Sequence, residues 1–378
     1  MFKKLFYVPL ISFLVLSNFI VSDEVEEVVV TGSYIKGSPT DGASPVELYD
    51  RSTIEAIGAV NVADITANIA VNSGSENQAD SFTSGALQGR TNVNLRGLGL
   101  SSTLVLFDGR RQTVAGATAN DGSVFVDTSA IPIIALERVE VLKEGAASIY
   151  GSDAVAGVVN YIFRRDFTGF EVDLTHQETD LGSQEDDRVS FIWGAGSGDT
   201  NLVLAYSALD RSPLSQSELE LAPLGISGLG TSFLLFGPST VESGPYAGTY
   251  SAFQNVPDPN CVANKGILIP QASGSRCGFK YGPRFNIVND EEHNQLYVSL
   301  KTVLTSGINA ELDYLKAETD VFDNPQSPSY PALSYLSPAL AIQPGTGGNP
   351  FGVPALWLGR PLASAFPSPF APREIEMD

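Results

Sequence analysis

Histidine, cysteine, methionine and tryptophan occur only twice each in the 378 residues. The side chains that most often hold metals or carry proton transfer are therefore scarce. His176 and His293 lie far apart, and neither sits in a metal or catalytic motif. No phosphate-cradling loop with its lysine and no nucleophile elbow is found. Gly97-Leu98-Gly99-Leu100-Ser101-Ser102 begins like a dinucleotide fingerprint, but it lacks the third glycine and precedes a strand pattern rather than a helix. The expectation is a chain that is not an enzyme and uses no cofactor or metal. Basic residues are also few: 22 Lys and Arg against 43 Asp and Glu give a net charge of −21. That balance argues against nucleic acid and anionic membrane surfaces as partners, since both need positive patches. After residue 21 no long apolar run recurs, which excludes a multi-span helical membrane protein.

What is abundant is glycine, 36 residues, with 23 prolines, a composition of turns and loops rather than helix bundles. The first 22 residues run from Lys3 and Lys4 through an apolar stretch to small Ser22 before Asp23. This is the order of a secretory signal; a single membrane anchor is the other reading. Behind it, Glu26-Glu27-Val28-Val29-Val30-Thr31-Gly32 reads as an exposed strand with no fold of its own, and residues 33 to 43 as a linker. Export would place Cys261 and Cys277 in an oxidising compartment. A disulfide is expected there, with two unpaired thiols as the alternative.

From Ser44 to about Arg165 short apolar runs alternate with turn signals, a mixed α/β pattern. Val62 to Ile69 has helical spacing. Thr103 to Phe107 is β-branched and aromatic and runs into Asp108-Gly109, a dipeptide favoured in tight hairpins. Arg138 to Leu142 and Gly157 to Phe163 are further strands, with Arg96, Arg110, Arg111, Glu137, Arg138 and Glu140 interleaved among apolar residues. One strand face would pack while the other meets polar walls.

The segment from Glu26 to Thr31 resembles the TonB box of TonB-dependent outer-membrane receptors, which pairs by strand addition with the periplasmic domain of TonB. Asn94-Leu95-Arg96-Gly97-Leu98-Gly99, then Leu104 to Arg111 and finally Glu137 to Asn160 are similar to the signature blocks of that family's plug domain, in the same order. The resemblance implies a small nutrient ligand, import without chemistry on it, and a plug and box reached from the periplasm. It also implies that Arg96 and Lys143 face barrel carboxylates in a charged latch. Family members often have Arg at the second position, so Lys143 would lack a bidentate contact; ordinary solvated or intradomain ion pairs are the other reading. Within the signature, Gly97, Gly109 and Gly151 read as turn formers, with Asp108, Arg110 and Tyr150 beside them.

Beyond Arg165 the period changes to strict alternation over five segments, each near the roughly 9 to 11 residues of a tilted membrane-crossing strand. Phe170, Val172 and Leu174 begin the series, followed by Val189, Phe191 and Trp193, then Leu202, Leu204 and Tyr206. Leu296, Val298 and Leu300, and lastly Ile308, Ala310, Leu312 and Tyr314, complete it. A soluble β-sandwich gives a similar alternation. Tight turns near Gly198 and Gly307 and the long link from about Arg211 to Glu292 favour an outer-membrane barrel. The expected fold is an α+β plug domain followed by part of an antiparallel transmembrane β-barrel. Its divisions are 1–22 signal, 23–43 box and linker, 44–165 plug, and 166–378 about five strands with long extracellular loops. The cysteines would lie in the first long loop, and the Pro- and Gly-rich stretch from Asn324 to Asp378 would be the next. Five strands leave edges that lipid does not tolerate, so the chain reads as cut before a sixth strand. The expected function is nutrient import through the outer membrane, in contact with its lipid. The alternative is a truncated, non-transporting product whose plug alone folds as a periplasmic interaction module.

Overall fold

The computed structural model describes residues 46–75, 87–119, 121–180, 183–197, 199–219, 226–228, 230–280, 286–305, 307–325, 338–346, 348–359 and 372–377. The leader, linker and box segments expected from sequence lie outside these residues.

Two helices of seven residues open the N-terminal domain after strand β1 (Val46–Asp50): α1 (Arg51–Ile57) and α2 (Val62–Asn68). Asp50 caps α1 by accepting from the Thr53 amide, and Gly58 closes it in the left-handed region at φ 70°. Asn61 and Asp64 form a reciprocal capping box that starts α2. Strands β2 (Thr103–Phe107) and β3 (Arg110–Arg111) form the expected hairpin. Asp108 and Gly109 both have positive φ, 48° and 74°, as a primed two-residue turn requires. β4 (Leu136–Leu142), the short helix α3 (Ala147–Tyr150) and β5 (Gly157–Phe163) complete the domain, whose sheet has the order β1-β4-β5-β2-β3.

β4 is flanked on both sides, and this alters the expected polar face. Arg138 and Glu140 are buried and paired to each other at 2.9 Å instead of meeting a wet wall. Gly157 must be glycine-like for a steric reason as well: a Cβ there would come within 2.4 Å of the Leu142 carbonyl oxygen.

The second sheet is an antiparallel meander of β6 (Gly169–Glu178), β7 (Glu185–Ser197), β8 (Thr200–Arg211), β9 (Asp290–Thr305), β10 (Ile308–Pro325) and β11 (Pro372–Met377), each hydrogen-bonded to the next in that order. β9 and β10 have 16 and 18 residues, longer than a bilayer crossing needs. β11 lies inside the stretch expected to be a loop, so the sheet has a sixth strand where five were expected. Its sequence opens on Pro372 and contains only Ile375 and Met377 as later apolar residues, too little alternation to be read as a strand.

Alternation on the sheet separates two faces. Phe170, Val172, Leu174, Val189, Trp193, Leu312 and Tyr314 are exposed on the outer one. The inner face curves against the N-terminal domain, where Ile192, Val203, Ala205 and Tyr297 join its core with Val139, Val159, Tyr161 and Phe163. Phe163 and Tyr297 stack at 4.5 Å between ring centroids. Burying such a side chain contributes roughly 1.5–3 kcal/mol, so the docking of sheet on domain is held by the same force as either core. The segment joining the two passes so close to β7 that a Cβ on Gly194 would lie 2.0 Å from the Phe167 carbonyl oxygen.

The two long connections are folded. Thr231–Leu235 pairs with Asn255–Pro257 from the same connection and with Ala355–Gly359 from the other. Leu235, Val256, Phe351 and Ala355 form a buried cluster between them. Cys261 and Cys277 are joined by a disulfide.

Candidate functional site

The inner face of the sheet meets the N-terminal domain through two groups of charged side chains. The first lies at the turn between β2 and β3. Arg110 Nη1 donates to Asp313 at 2.9 Å and its Nη2 to Glu311, both on β10. Arg165, just after β5, reaches the same two carboxylates and pairs with Asp108 at 2.9 Å. Two guanidinium groups thus share two wall carboxylates, and Ser299 donates to Asp313 at 2.9 Å to satisfy a further lone pair. Burial raises the Asp108 carboxyl above the ordinary range, against the Phe163 amide and Arg165, which favour its charge. Burial also works against the Arg165 charge, but Asp108 and Asp313 outweigh it and hold the guanidinium above its usual value.

The second group surrounds the corner between α1 and α2. Arg188 of β7 donates through Nη1 to the carbonyls of Ala59 and Val60 at 2.9 and 2.8 Å. Its Nη2 meets Asp173 at 3.2 Å and Thr175 at 2.9 Å, both on β6. Gln177 of β6 donates to the Gly58 carbonyl at 2.8 Å. Nearby, Glu171 accepts from Arg164 at 2.7 Å and from Arg51 at 3.5 Å. A cleft of about 220 Å³ lies between α1 and the wall here, with Arg51, Ile54, Asp173, Thr175 and Arg188 among its lining. Elsewhere along the interface Lys301 pairs with Asp166 at 3.2 Å, and Gln295 donates to the Ser129 carbonyl.

This arrangement holds the N-terminal domain against the inner face of the sheet through buried donors at Arg188 and Gln295 and more exposed ion pairs at Arg110 and Lys301.

Residues 38–158 match the TonB-dependent Receptor Plug Domain family. That segment is a plug domain of the TonB-dependent receptor type. Over 77 residues it is 39% identical to the iron-regulated outer membrane virulence protein of Vibrio cholerae serotype O1, a stretch that is 20% of this chain and 12% of that protein. Among solved structures, the ferric enterobactin receptor PfeA of Pseudomonas aeruginosa superposes with TM-score 0.48 at 17% identity, covering 82% of this chain and 37% of the receptor. The siderophore receptor PirA of Acinetobacter baumannii does so with TM-score 0.34 at 15% identity, covering 73% of this chain and 40% of that one. The chain spans well under half the length of each of these relatives.

Within the plug the signature residues fall into place unevenly. Asp108, Gly109 and Arg110 form the hairpin that contacts β10. Arg96, at φ 58° beside Gly97 at φ 64°, donates to the Ala156 carbonyl at 2.7 Å, and Lys143 pairs with Glu47 of β1 at 2.8 Å. Both partners belong to the plug, so among the described residues Arg96 and Lys143 make intradomain contacts, the other reading of these two charges. Lys143 follows β4 directly beside edge strand β1, whereas Glu311 and Asp313 lie at the far, β2–β3 side of the sheet. Tyr150 ends α3 and its carbonyl accepts from Arg111, while Gly151 at φ 89° turns the chain into the next segment. Glu26, Glu27, Val28, Val29, Val30 and Thr31 lie outside the described residues. Sequence reasoning missed Arg188, Gln177, Glu311 and Asp313 as plug-holding residues. The signal was there for Arg188, Glu311 and Asp313, which are charged residues at inner positions of otherwise alternating strands, as are Glu171 and Asp173.

Proposed function

We propose that the chain acts as an outer-membrane receptor that binds a scarce nutrient from outside and releases it to the periplasm when TonB pulls the box at Glu26 to Thr31. Residues 1–22 direct export, 44–165 form the plug, and the strands that follow form barrel wall with long outer loops. The observation that carries the reading is the division of the sheet: its outer face presents Phe170, Leu174 and Leu312, exposed by 66%, 73% and 62%, while its inner face buries charged and apolar side chains against the plug. A sheet apolar outside and polar within is what a lipid-embedded wall requires. The name of the Vibrio cholerae relative makes iron-bearing ligands the first class to screen. Ligand contact at the outer loops and plug would favour states in which the box is free for TonB, and energy from TonB would then move the plug. No bond in the nutrient need form or break.

The test is cell fractionation of the full chain, together with retention of the isolated periplasmic domain of TonB by the solubilised protein. The chain is expected in the outer-membrane fraction. Binding should be lost on Val29→Pro, because proline removes an N–H from the paired edge. A soluble periplasmic chain that still binds TonB would replace the receptor by an interaction module. Equal binding by wild type and Val29→Pro would remove the box assignment.

A further inference from the structure

Three consecutive carbonyls at the corner between α1 and α2, those of Gly58, Ala59 and Val60, accept hydrogen bonds from wall side chains, the first from Gln177 and the others from Arg188. Side chains seldom take up so many neighbouring main-chain acceptors in one place, since most such carbonyls serve secondary structure. The corner is braced from the plug side as well, because Asp64 accepts from the amides of Val60 and Asn61 at 2.8 and 3.1 Å. Arg188 is itself fixed, with Asp173 and Thr175 taking its other nitrogen, and its side chain is 7% exposed.

What precedes the corner is held mainly by the plug itself: Tyr49 of β1 is buried and donates to the Asn68 carbonyl at 3.1 Å, and Arg51 donates to the Ile133 carbonyl at 3.1 Å. β1 is an edge strand of five residues paired on one side only, and α1 is a single helix of seven residues with one buried side chain, Ile54. A helix of that length has little stability of its own. Among the described residues, α1 meets the wall through the Arg51 to Glu171 contact at 3.5 Å. The cleft lined by Arg51, Ile54, Asp173, Thr175 and Arg188 lies behind it.

We infer that Arg188 is a positioning residue that makes this corner a mechanical stop. Tension entering from the N-terminal side detaches β1 and α1, then meets the three wall-held carbonyls, where the load passes from the plug to β6 and β7. The leading segment leaves; α2 and the core around Ile65 stay docked. The space vacated by α1 adjoins the existing cleft, and a solute passing there would meet Asp173, Thr175 and the freed face of Arg188. This rests on the receptor reading for its biological meaning, though the stop itself is a property of the fold.

The experiment is single-molecule pulling on the full chain in outer-membrane fragments, with the handle attached covalently at the N-terminus. The result is then independent of whether TonB binds. The wild type should release β1 and α1 in one step and then pause. Their five and seven residues add roughly 40 Å of contour at about 3.6 Å per residue. Arg188→Ala should shorten the pause on the order of tenfold or more, as expected for lost charge-assisted hydrogen bonds, and Arg188→Lys should restore part of it. Gln177→Ala, at an exposed position whose loss does not threaten folding, should shorten it to a smaller degree. Arg51→Ala, upstream of the corner, should leave it unchanged. A wild-type plug that extends through the corner without pausing would overturn the inference, as would Arg51→Ala shortening the pause as much as Arg188→Ala, or a pause that survives both Arg188→Ala and Gln177→Ala.

Discussion

Asp50 shows how much one side chain does at the entrance to the plug. Its carboxylate accepts from the Thr53 amide at 2.8 Å, the Thr53 hydroxyl at 2.6 Å and the Ser52 hydroxyl at 2.8 Å. The Thr53 hydrogen bonds, with Ser52, hold its carboxyl below the ordinary value of 3.8. A carboxyl whose pKa is lower folded than unfolded stabilises the fold fully above the unfolded value, and that contribution is lost as pH falls through the folded one. Asp50→Ala should therefore weaken α1 by about 1 kcal/mol at neutral pH, and the gap to wild type should narrow as the pH is taken below 3.8. Asp50→Asn should keep most of the cap without that pH dependence. Hydrogen exchange of the α1 amides measures both; a gap that is constant across the acid range would show that the cap is not the charged form. α1 itself was not legible in the sequence. Its seven residues offer only Ile54 and Ile57 at helical spacing, and what makes it a helix is the cap at one end and Gly58 at the other. α2 could be read because Val62, Ile65 and Ile69 repeat at helical spacing and are all buried.

At the scale of elements, the wall and plug are joined where β10 meets the β2–β3 hairpin. Asp313 touches Arg110, Arg165 and Ser299, and Glu311 touches both arginines from a more exposed position. Arg165 has a side-chain exposure of 18% against 55% for Arg110. Solvent screens the Arg110 contacts, which are worth little, whereas neutralising Asp313 takes one of three carboxylates from the mostly buried Arg165 and leaves it Asp108 and Glu311. Asp313→Asn is expected to destabilise plug docking by about 2 kcal/mol, and Glu311→Gln by less than about 1 kcal/mol. Urea titration in detergent, followed through the fluorescence of Trp193 on β7, would show the order; equal effects would mean that burial of Arg165 does not decide it. Half of this interface was legible. Alternation along β10 put Glu311 and Asp313 on the lumen side, but their partners come from a turn and a connecting segment that only the docked fold brings together. The plug signature drew attention to Arg96 and Lys143, because a motif shows that a charge is kept without showing which neighbour the sheet order gives it.

Over the whole molecule, the two long connections are paired through one strand, and a cysteine pair in the first should therefore govern the second. Thr231–Leu235 is the shared strand: on one side it pairs with Asn255–Pro257, which leads into the disulfide loop, and on the other with Ala355–Gly359. The Cys277 amide donates to the Ser232 hydroxyl at 2.7 Å, and the Gly230 amide to the Cys277 carbonyl at 2.9 Å, so the disulfide is fastened directly to that strand. The packing around it is close enough that a Cβ on Gly266 would lie 2.6 Å from Cys277 Sγ. The cysteines could be read from the sequence, but their reach could not, because strand pairing between segments more than a hundred residues apart has no local signal. With a sequence separation of 16, the cross-link should contribute roughly 3 kcal/mol in the chain-entropy model. Replacing both cysteines by serine should raise proteolytic cleavage within 255–280. It should also raise cleavage near 355–359, where there is no cysteine, because the strand that holds that segment loosens with its neighbour. Among the described residues the ladder from β6 to β10 pairs with strands other than those of the Cys261–Cys277 loop and should stay resistant. Limited proteolysis with mass mapping distinguishes the outcomes. If cleavage rises in the first connection alone, Ala355–Gly359 is held by its own cluster around Phe351, and the two connections behave as two parts rather than one.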